Sequence, residues 1–298
     1  MEQKMKLIVI LGPTASGKSD LAVEIARRVS GEVISADSRQ VYRGLDIGTG
    51  KITKKEMNGV PHHLLDVANL KRTMSVVQYE SLATCAIKDI FKRGKVPIIC
   101  GGTGLYIDAV LTTASFPEVP PNIALRRKLE KLSVDKLFKQ LQKLDPVRAK
   151  TIDARNPRRL VRAIEIAGKL GSVPVRPPIL ERYNALYIGL TLPQEKLSER
   201  IHVRLLARMR RGMVAEAKRL HAQGLSWKRM ESLGLEYRFL AQFLQNKISK
   251  GEMIELLNIA IRQYAKRQMV WFKRNKNIKW VSPKETREIL DIINKFLN

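Results

Sequence analysis

Short apolar runs along the chain alternate with segments in which apolar residues recur three and four positions apart. Runs that are apolar throughout are typical of strands buried on both faces of a sheet. The intervening segments have the period of amphipathic helices. Strands and helices in alternation predict an α/β fold with a parallel sheet. The predicted strands are 7–11, 31–36, 95–100, 186–192 and 278–281, and the helices that alternate with them include 20–28, 75–93 and 284–298.

The alternation is interrupted between residues 114 and 180. Prolines stand near both ends of this segment, and the period inside it is helical. We therefore predict that residues 1–113 form the first part of an α/β core. Residues 114–180 form an all-helical insertion, and residues 181–298 complete the core and add C-terminal helices.

Residues 12–19 read GPTASGKS and match the phosphate-binding pattern G-x-x-x-x-G-K-[ST]. The motif follows a predicted strand and precedes a predicted helix, which is the context that a P-loop NTPase-like core requires. Its glycines let backbone N–H groups surround phosphate oxygens, and the helix dipole favours an anion there. The segment predicts a polyphosphate or diphosphate site without saying which reaction occurs. The candidate diphosphate-binding residues are Gly12, Pro13, Thr14, Ala15, Ser16, Gly17, Lys18 and Ser19.

Within that motif, Lys18 supplies a cation, and the hydroxyl of Ser19 is a candidate ligand for Mg²⁺.

Two other strand ends carry polar residues. Asp37 follows the strand 31–36, where it could serve as a general base or metal ligand, or equally as the N-cap of a short helix from Ser38. Thr103 lies in a glycine turn after the third strand, which is either part of the site or a tight connection.

The chain of 298 residues has 55 Lys and Arg against 28 Asp and Glu, a formal net charge of +27. A surplus of this size indicates a polyanionic partner such as nucleic acid, although a generally basic proteome would also produce it. The cluster Arg158, Arg159 and Arg162 is either a solvated helix face or an arm that grips phosphates. Arg158 and Arg162 are four residues apart and should share a face.

No apolar run approaches the ~20 residues of a membrane span, and the N-terminus lacks the pattern of a signal peptide. Cys85 and Cys100 both fall in apolar segments, so we predict two buried thiols in a reducing compartment. These features predict a cytoplasmic protein that does not associate with membranes.

Several segments in a fixed order resemble the tRNA dimethylallyltransferases of the bacterial type, over nearly the whole chain. The phosphate loop alone is shared with many kinases, but the series is specific. The segments are GPTASGKS at 12–19, SADSRQVY at 35–42, DIGTGK at 46–51, GGTGLY at 101–106, RLVRAIE at 159–165 and RQYAKRQ at 262–268.

The resemblance implies that the exocyclic amine of the adenine 3′ of the anticodon attacks dimethylallyl diphosphate and releases diphosphate. By similarity, the loop 12–19 holds diphosphate rather than ATP, Mg²⁺ binds with Ser19, and Lys18, Asp37 and Thr103 are catalytic, Asp37 as the base. Either Arg200 or Arg204 would lie near the diphosphate. The implied tRNA-binding residues are Asp37, Ser38, Arg39, Gln40, Thr103, Arg158, Arg159, Arg162 and Arg238.

The implied partners are dimethylallyl diphosphate and a tRNA anticodon stem-loop bound by the insertion 114–180, and we expect a monomer. The sequence departs from the family pattern in two places. The insertion is shorter than usual, which affects its reach, and the segment 233–238 matches only in part. Three alternatives remain. They are a small-molecule P-loop kinase, an adenylate isopentenyltransferase acting on free nucleotide, and a non-catalytic RNA-binding GTPase or ATPase.

Overall fold

The structure is a computed structural model that describes residues 4–113, 117–174 and 180–298. The chain forms two compact units. The first unit comprises the chain up to Thr112 together with Glu181–Asn298, and the second comprises Thr113–Leu180. The first unit is thus assembled from two separate stretches of chain, and the second lies between them in sequence.

A parallel sheet of six strands, counted over the described residues, is the centre of the first unit, and its order is β3-β2-β4-β1-β5-β6. The predicted α/β class is therefore confirmed. The edge strand β3 was not predicted because two residues are too short to show a period. The strands are β1 (Lys6–Leu11), β2 (Gly31–Ala36), β3 (His62–His63), β4 (Val96–Gly101), β5 (Asn184–Leu190) and β6 (Lys279–Val281).

Helices cover both faces of this sheet and form the second unit. Their beginnings follow local capping rules; for example, the Ser75 and Gln78 side chains form a reciprocal capping box at the start of one helix. The helices are α1 (Lys18–Arg28), α2 (Lys54–Met57), α3 (Val76–Lys92), α4 (Gly104–Leu111), α5 (Ile123–Leu129), α6 (Val134–Leu144), α7 (Pro146–Thr151), α8 (Pro157–Leu170), α9 (Gln194–Arg210), α10 (Met213–Ala222), α11 (Trp227–Ser232), α12 (Leu235–Leu244), α13 (Lys250–Phe272) and α14 (Thr286–Leu297).

Strand β1 is buried on both faces, which explains its continuous apolar sequence. Leu7 and Val9 point into a core that also contains residues of α3, α4 and α13. Ile8 and Ile10 point into the opposite core, which α1 and α14 cover. Each fully buried Leu or Ile side chain contributes about 1.5–3 kcal/mol relative to an exposed one. The packing of both faces therefore fixes the position of the loop that follows β1.

One expectation about a buried residue in α3 was wrong. The buried residues of α3 are Tyr79, Ala83, Ile87 and Ile90. Cys85 is not one of them and is exposed, whereas Cys100 in β4 is buried as predicted. The apolar side chains Leu82 and Phe91 are also exposed. An apolar residue on a helix is buried only where a neighbouring element covers it, and the sequence period does not show how wide that cover is.

The second unit consists of α5–α8 packed around a small apolar core that includes Leu137, Leu141, Leu160 and Ile164. A buried carboxylate, Glu165, ties the unit together. It accepts hydrogen bonds from Arg126 Nε at 2.9 Å and Nη2 at 2.7 Å, from Arg162 Nη1 at 2.5 Å and from the Asn122 N–H at 2.6 Å. Part of the positive charge of this segment is therefore neutralised within the unit.

Candidate active site

The phosphate-loop motif lies between β1 and α1, as predicted. Gly12 has φ 144° and Gly17 has φ 97°, values in the region that favours glycine. A methyl group at Gly12 would lie 2.6 Å from the carbonyl oxygen of Leu190, so the loop rests directly on the end of β5. The hydroxyl of Ser16 is buried and has no hydrogen-bond partner among the described residues. The loop thus has the form of an anion cradle with unused hydrogen-bonding capacity.

Lys18 begins α1 and curls back over this loop. Its Nζ donates a hydrogen bond to the carbonyl oxygen of Pro13 at 2.6 Å. Removal of the ammonium from water lowers its pKa to about 8, and among its neighbours Cys100 and Asp37 raise this pKa while Arg204 lowers it. Because Asp37 and Arg204 both act on this charge, groups from distant parts of the sequence meet around the cradle.

Asp37 follows β2 and forms an Asx-type turn rather than the N-cap of a helix. Its Oδ1 accepts the N–H of Arg39 at 2.8 Å and of Gln40 at 3.3 Å. Residues 38–41 form turns, so the short helix considered from the sequence is not present there. The two backbone bonds hold the carboxylate in one orientation. Its Oδ2 takes no hydrogen bond from the described residues and is available to accept a proton.

Thr103 lies beside Asp37, although 66 positions separate them along the chain. Strands β2 and β4 are neighbours, and the Thr103 N–H donates to the Ala36 carbonyl at 3.0 Å. The Thr103 hydroxyl accepts the Ser38 N–H at 3.0 Å, although Thr103 stands at the N-cap position of α4. The glycine turn after β4 is therefore more than a connection, since it delivers this hydroxyl to the Asp37 turn.

Arg204 lies on α9, with Arg200 one turn earlier, and both residues are exposed. Although the residue as a whole is exposed, partial loss of hydration at its guanidinium, followed by the charge of Arg208, lowers the pKa of Arg204. A methyl group at Gly50 would lie 3.3 Å from Arg204 Nη2, so Arg204 contacts the segment 46–51. Of these two arginines, Arg204 is the one whose charge lowers the pKa of Lys18. The geometry favours Arg204 as the arginine of this site.

The segment 46–51 is held by a buried carboxylate that the sequence did not reveal. Glu216 accepts the N–H groups of Asp46, Ile47 and Gly48 at 3.0, 2.7 and 2.9 Å. It also accepts the hydroxyl of Tyr237 at 2.6 Å. Four donors keep this buried carboxylate satisfied and fix the loop that faces Arg204. Glu216 is one acidic residue among many in helical segments, so no sequence signal distinguished it.

Tyr264 on α13 is a further residue at the site. Burial, followed by the negative charge of Asp37, raises the pKa of its hydroxyl. Its position within RQYAKRQ drew attention only as part of the family resemblance. Tyr264 and Gln268 are four residues apart on one helix, so the spacing could have indicated a shared face toward the site.

The candidate tRNA-binding residues have different surroundings. In the first unit, Ser38, Arg39 and Gln40 are partly buried in the Asp37 turn, and Arg238 on α12 is exposed. A methyl group at Gly234 would lie 3.7 Å from Arg39 Nη2, so the segment 233–238 borders that turn.

In the second unit, Arg158 and Arg159 are exposed. Arg162 instead donates to Glu165 at 2.5 Å and to the Pro117 carbonyl at 3.4 Å. Arg158 and Arg162 therefore do not form an equivalent pair of free cations, because the guanidinium of Arg162 stabilises its own unit. At the start of α8, Arg158 forms no ion pair with another described residue, and Arg159 forms only a long, exposed one with Asp153 at 3.9 Å.

The donor set around the cradle does not by itself make a metal cage. Over the described ranges, no three His, Cys, Asp or Glu residues are grouped closely enough to hold a metal ion. The hydroxyl of Ser19 is exposed in the first turn of α1. Mg²⁺ commonly binds one or two protein ligands, substrate phosphates and waters, so these residues fit Mg²⁺ that arrives with a diphosphate.

No helix in the part of the chain that the structure describes is long and apolar enough to cross a membrane. The first unit brings together an anion cradle after β1 and a carboxylate after β2, two strands away, and the chain also carries a separate basic helical unit. This combination defines a class of P-loop-type transferases rather than kinases alone. A family model described as IPP transferase matches residues 40–275, and the chain belongs to this transferase family.

Relatives and solved structures agree with this assignment. The chain is 42% identical over 280 residues to the tRNA dimethylallyltransferase of Anoxybacillus flavithermus, covering 92% of this chain and 89% of the relative. It is 46% identical over 291 residues to tRNA dimethylallyltransferase 2 of Treponema denticola, covering 94% and 97%. The family resemblance seen in the sequence is thus confirmed.

The crystal structure of the tRNA isopentenylpyrophosphate transferase from Bacillus halodurans superimposes with a TM-score of 0.76 at 38% identity, covering 99% of this chain and 97% of that one. A eukaryotic dimethylallyltransferase captured acting on tRNA gives a TM-score of 0.83 at 27% identity, covering 98% and 79%. The P-loop-like core with helical regions is therefore the fold of this family.

Proposed function

We propose that this enzyme transfers a dimethylallyl group from dimethylallyl diphosphate to the exocyclic amine of the adenine immediately 3′ of the anticodon in tRNA. The observation that carries the proposal is the meeting of two groups at one edge of the sheet. The cradle with Lys18 follows β1, and Asp37 follows β2 close enough for its charge to act on Lys18. An anionic leaving group and an incoming amine would each find a partner there.

The residues of the cradle support the role of holding the diphosphate. Backbone N–H groups at the start of α1, the Ser16 hydroxyl and the Lys18 ammonium are donors, and Arg204 adds a second cation. When diphosphate binds, the ammonium of Lys18 exchanges the Pro13 carbonyl for a phosphate oxygen. The transition state places extra negative charge on the departing diphosphate, so these donors act where charge develops.

Asp37 is the proposed base. The amine nitrogen forms a bond to the first carbon of the allyl group while the bond from that carbon to the diphosphate oxygen breaks. The nitrogen becomes acidic as its new bond forms, and its proton passes to Asp37 Oδ2. The Asx turn keeps Oδ1 occupied, so the same carboxylate oxygen always faces the substrate. The Thr103 hydroxyl, which accepts the Ser38 N–H in the same turn, is the proposed contact for the adenine.

Mg²⁺ is the proposed cofactor, with Ser19 as its protein ligand. When bound, the ion would neutralise charge on the departing diphosphate. Lys18 and Arg204 orient the same anion from the protein side. We further propose that the enzyme works as a monomer in the cytoplasm.

The tRNA anticodon stem-loop is the proposed partner of the basic surface. The net charge of +27 supports a polyanionic ligand. Arg158 and Arg159 of the insertion are exposed for phosphate contacts, and Arg238 and the Asp37 turn border the site. The target adenine must leave its stack to reach Asp37, which costs only a few kcal/mol in a single-stranded loop.

The experiment mixes the protein, dimethylallyl diphosphate, Mg²⁺ and bulk tRNA and analyses the digested nucleosides by mass. We expect one adenosine per acceptor tRNA to gain a dimethylallyl group. Parallel reactions replace tRNA with adenosine monophosphate, or replace the donor with labelled ATP and omit tRNA. Prenylated free nucleotide would favour an adenylate isopentenyltransferase, and a phosphorylated small molecule would favour a kinase. If no reaction consumed its donor, the result would favour a non-catalytic nucleotide-binding protein.

Asp37→Ala tests the assignment of the base in the same reaction. We expect binding of dimethylallyl diphosphate and of tRNA to stay near the wild-type value while transfer falls by about 10²–10⁴-fold, the usual contribution of a positioned base. Transfer at the wild-type rate by this variant would refute the role of Asp37. Glu24→Ala is a suitable control because Glu24 is partly exposed on the same unit and, among the described residues, forms an ion pair with Arg28 alone, at 3.2 Å.

A further inference from the structure

Gln268 on α13 connects two loops of the site through a single side chain. It is a buried polar residue, only 5% exposed. Its Oε1 accepts the backbone N–H of Thr14 in the phosphate loop at 2.8 Å. Its Nε2 donates to the backbone carbonyl of Gly102, before Thr103, at 2.8 Å. One partner is a donor and the other an acceptor, so the amide fits in only one orientation.

The contact is direct and leaves no room for an intervening water. A methyl group at Gly102 would lie 2.1 Å from Gln268 Nε2, so the amide rests on the bare backbone of this turn. This close approach gives Gly102 a physical reason to be glycine. The two loops and the amide are therefore packed as one unit.

The two hydrogen bonds of Gln268, called the Gln268 bridge below, lie just beyond the end of the β1–β4 pairing. Strands β1 and β4 pair in register up to Leu11 and Gly101, and the backbones of the two loops then leave the ladder. Beyond this point, the Gln268 amide replaces the strand-to-strand hydrogen bond that is missing. It links the loop that carries Lys18 to the turn that carries Thr103. Without it, the described hydrogen bonds between these two segments would include only the weak one from the Cys100 thiol to the Lys18 carbonyl at 3.5 Å, and packing would have to supply the rest.

We propose that Gln268 is a positioning residue that sets the distance between the diphosphate cradle and the acceptor side of the site. The inference rests on the proposed function, in which the cradle holds the prenyl donor and the Asp37–Thr103 side receives the adenine. Each substrate binds mainly within its own half, whereas the reaction requires both halves at one separation. Loss of the bridge should therefore slow the chemical step more than it weakens binding of either substrate.

Two variants of similar volume test the bridge. Gln268→Met keeps the side-chain length and removes both hydrogen bonds. Gln268→Glu keeps the acceptor for Thr14 but places a carboxylate oxygen against the Gly102 carbonyl. The matched control is Gln263→Met on the same helix, because Gln263 is exposed and makes no hydrogen bond among those of the described residues.

The measurements are the single-turnover rate with saturating substrates, the dissociation constants of dimethylallyl diphosphate and of tRNA, and the thermal unfolding midpoint. A displacement near 1 Å costs about 10²-fold in rate, so we expect both Gln268 variants to react about 10- to 100-fold more slowly. We expect the two dissociation constants to change by no more than about threefold. The Gln263 variant should match the wild type in all four quantities.

The outcomes separate the two proposals. A wild-type protein that prenylates no tRNA would refute the proposed function itself. A wild-type protein that reacts, with folded Gln268 variants equally fast, would overturn the bridge. A loss confined to the affinity for the prenyl donor would also overturn it, since Gln268 would then only shape the cradle. If Gln268→Met is unfolded, the Glu variant, which retains the Thr14 bond, is measured in the same way, and an unchanged rate there refutes the bridge.

Discussion

In the proposed function Lys18 binds the diphosphate of the prenyl donor, and the pKa of this lysine then makes the affinity for the donor depend on pH. Burial lowers the pKa of this ammonium to about 8, against an ordinary value of 10.5. A bound diphosphate places negative charge against the ammonium and moves its pKa back up. Binding therefore favours the protonated lysine. The affinity should be fully present below pH 8 and should decline as the pH rises through that value.

The size of the decline follows from the fraction of charged lysine. With a pKa of about 8, roughly nine-tenths of the free enzyme is protonated at pH 7 and roughly one-tenth at pH 9. The affinity for the donor should thus fall about tenfold over this interval, or about 1.4 kcal/mol. The second ionisation of a phosphate lies near pH 6, so the donor itself contributes little above pH 7. The neighbouring Cys100 thiol, whose pKa burial raises to about 12, stays neutral throughout.

The assay is calorimetric titration of a non-reacting analogue of dimethylallyl diphosphate at half-unit intervals from pH 7 to pH 9. The control is Lys18→Arg, since a guanidinium stays charged throughout this range. The wild type should show the tenfold decline with uptake of one proton near pH 9, and the arginine variant should be flat. A flat wild type, or an equal slope in the arginine variant, would refute the link between this lysine and the donor.

The structure makes three further predictions. Arg158→Glu combined with Arg159→Glu should weaken tRNA binding and reduce the slope of log K against log salt by at least about 1.5, as two lost phosphate contacts require; an unchanged slope would mean that both are only solvated. Tyr237→Phe should lower the free energy of unfolding by about 1.5–3 kcal/mol in a denaturant titration, since Glu216 loses one donor. Glu216→Leu should cost more than Tyr237→Phe, because three backbone N–H groups lose their acceptor; an equal or smaller loss would contradict the role of Glu216.

The parts of the fold that could be predicted are those with local causes. The strand before Gly12 and the helix after Lys18 follow from an apolar run, two glycines and a helical period. The long strands β1, β2, β4 and β5 were visible for the same reason. Strand β3 was not, because its pairing with β2 at the sheet edge depends on the loop that precedes it and not on its own two residues.

The parts of the site that could not be predicted depend on partners that are distant in sequence. Arg158 and Arg162 are equivalent in the sequence, since both are arginines on one helix face. The buried carboxylate of Glu165 nevertheless binds Arg162 and not Arg158. Glu216 and Gln268 bind backbone groups, which every residue possesses, so no motif marks them. Asp37 was the intermediate case. Its position after a strand indicated a polar site, but only the turn geometry showed that it does not cap a helix at Ser38.

The order of the strands has a consequence for synthesis of the protein on the ribosome. Strand β1 is among the first segments to emerge, but its neighbour β5 follows the whole insertion, and Gly12 rests on the last residue of β5. A nascent chain that ends within the insertion must carry β1 with one unpaired edge, the kind of edge that invites aggregation. The phosphate loop can pack against β5 only after β5 has left the exit tunnel. If this loop binds the prenyl donor as proposed, ribosome-bound intermediates should be unable to retain the donor until the last third of translation.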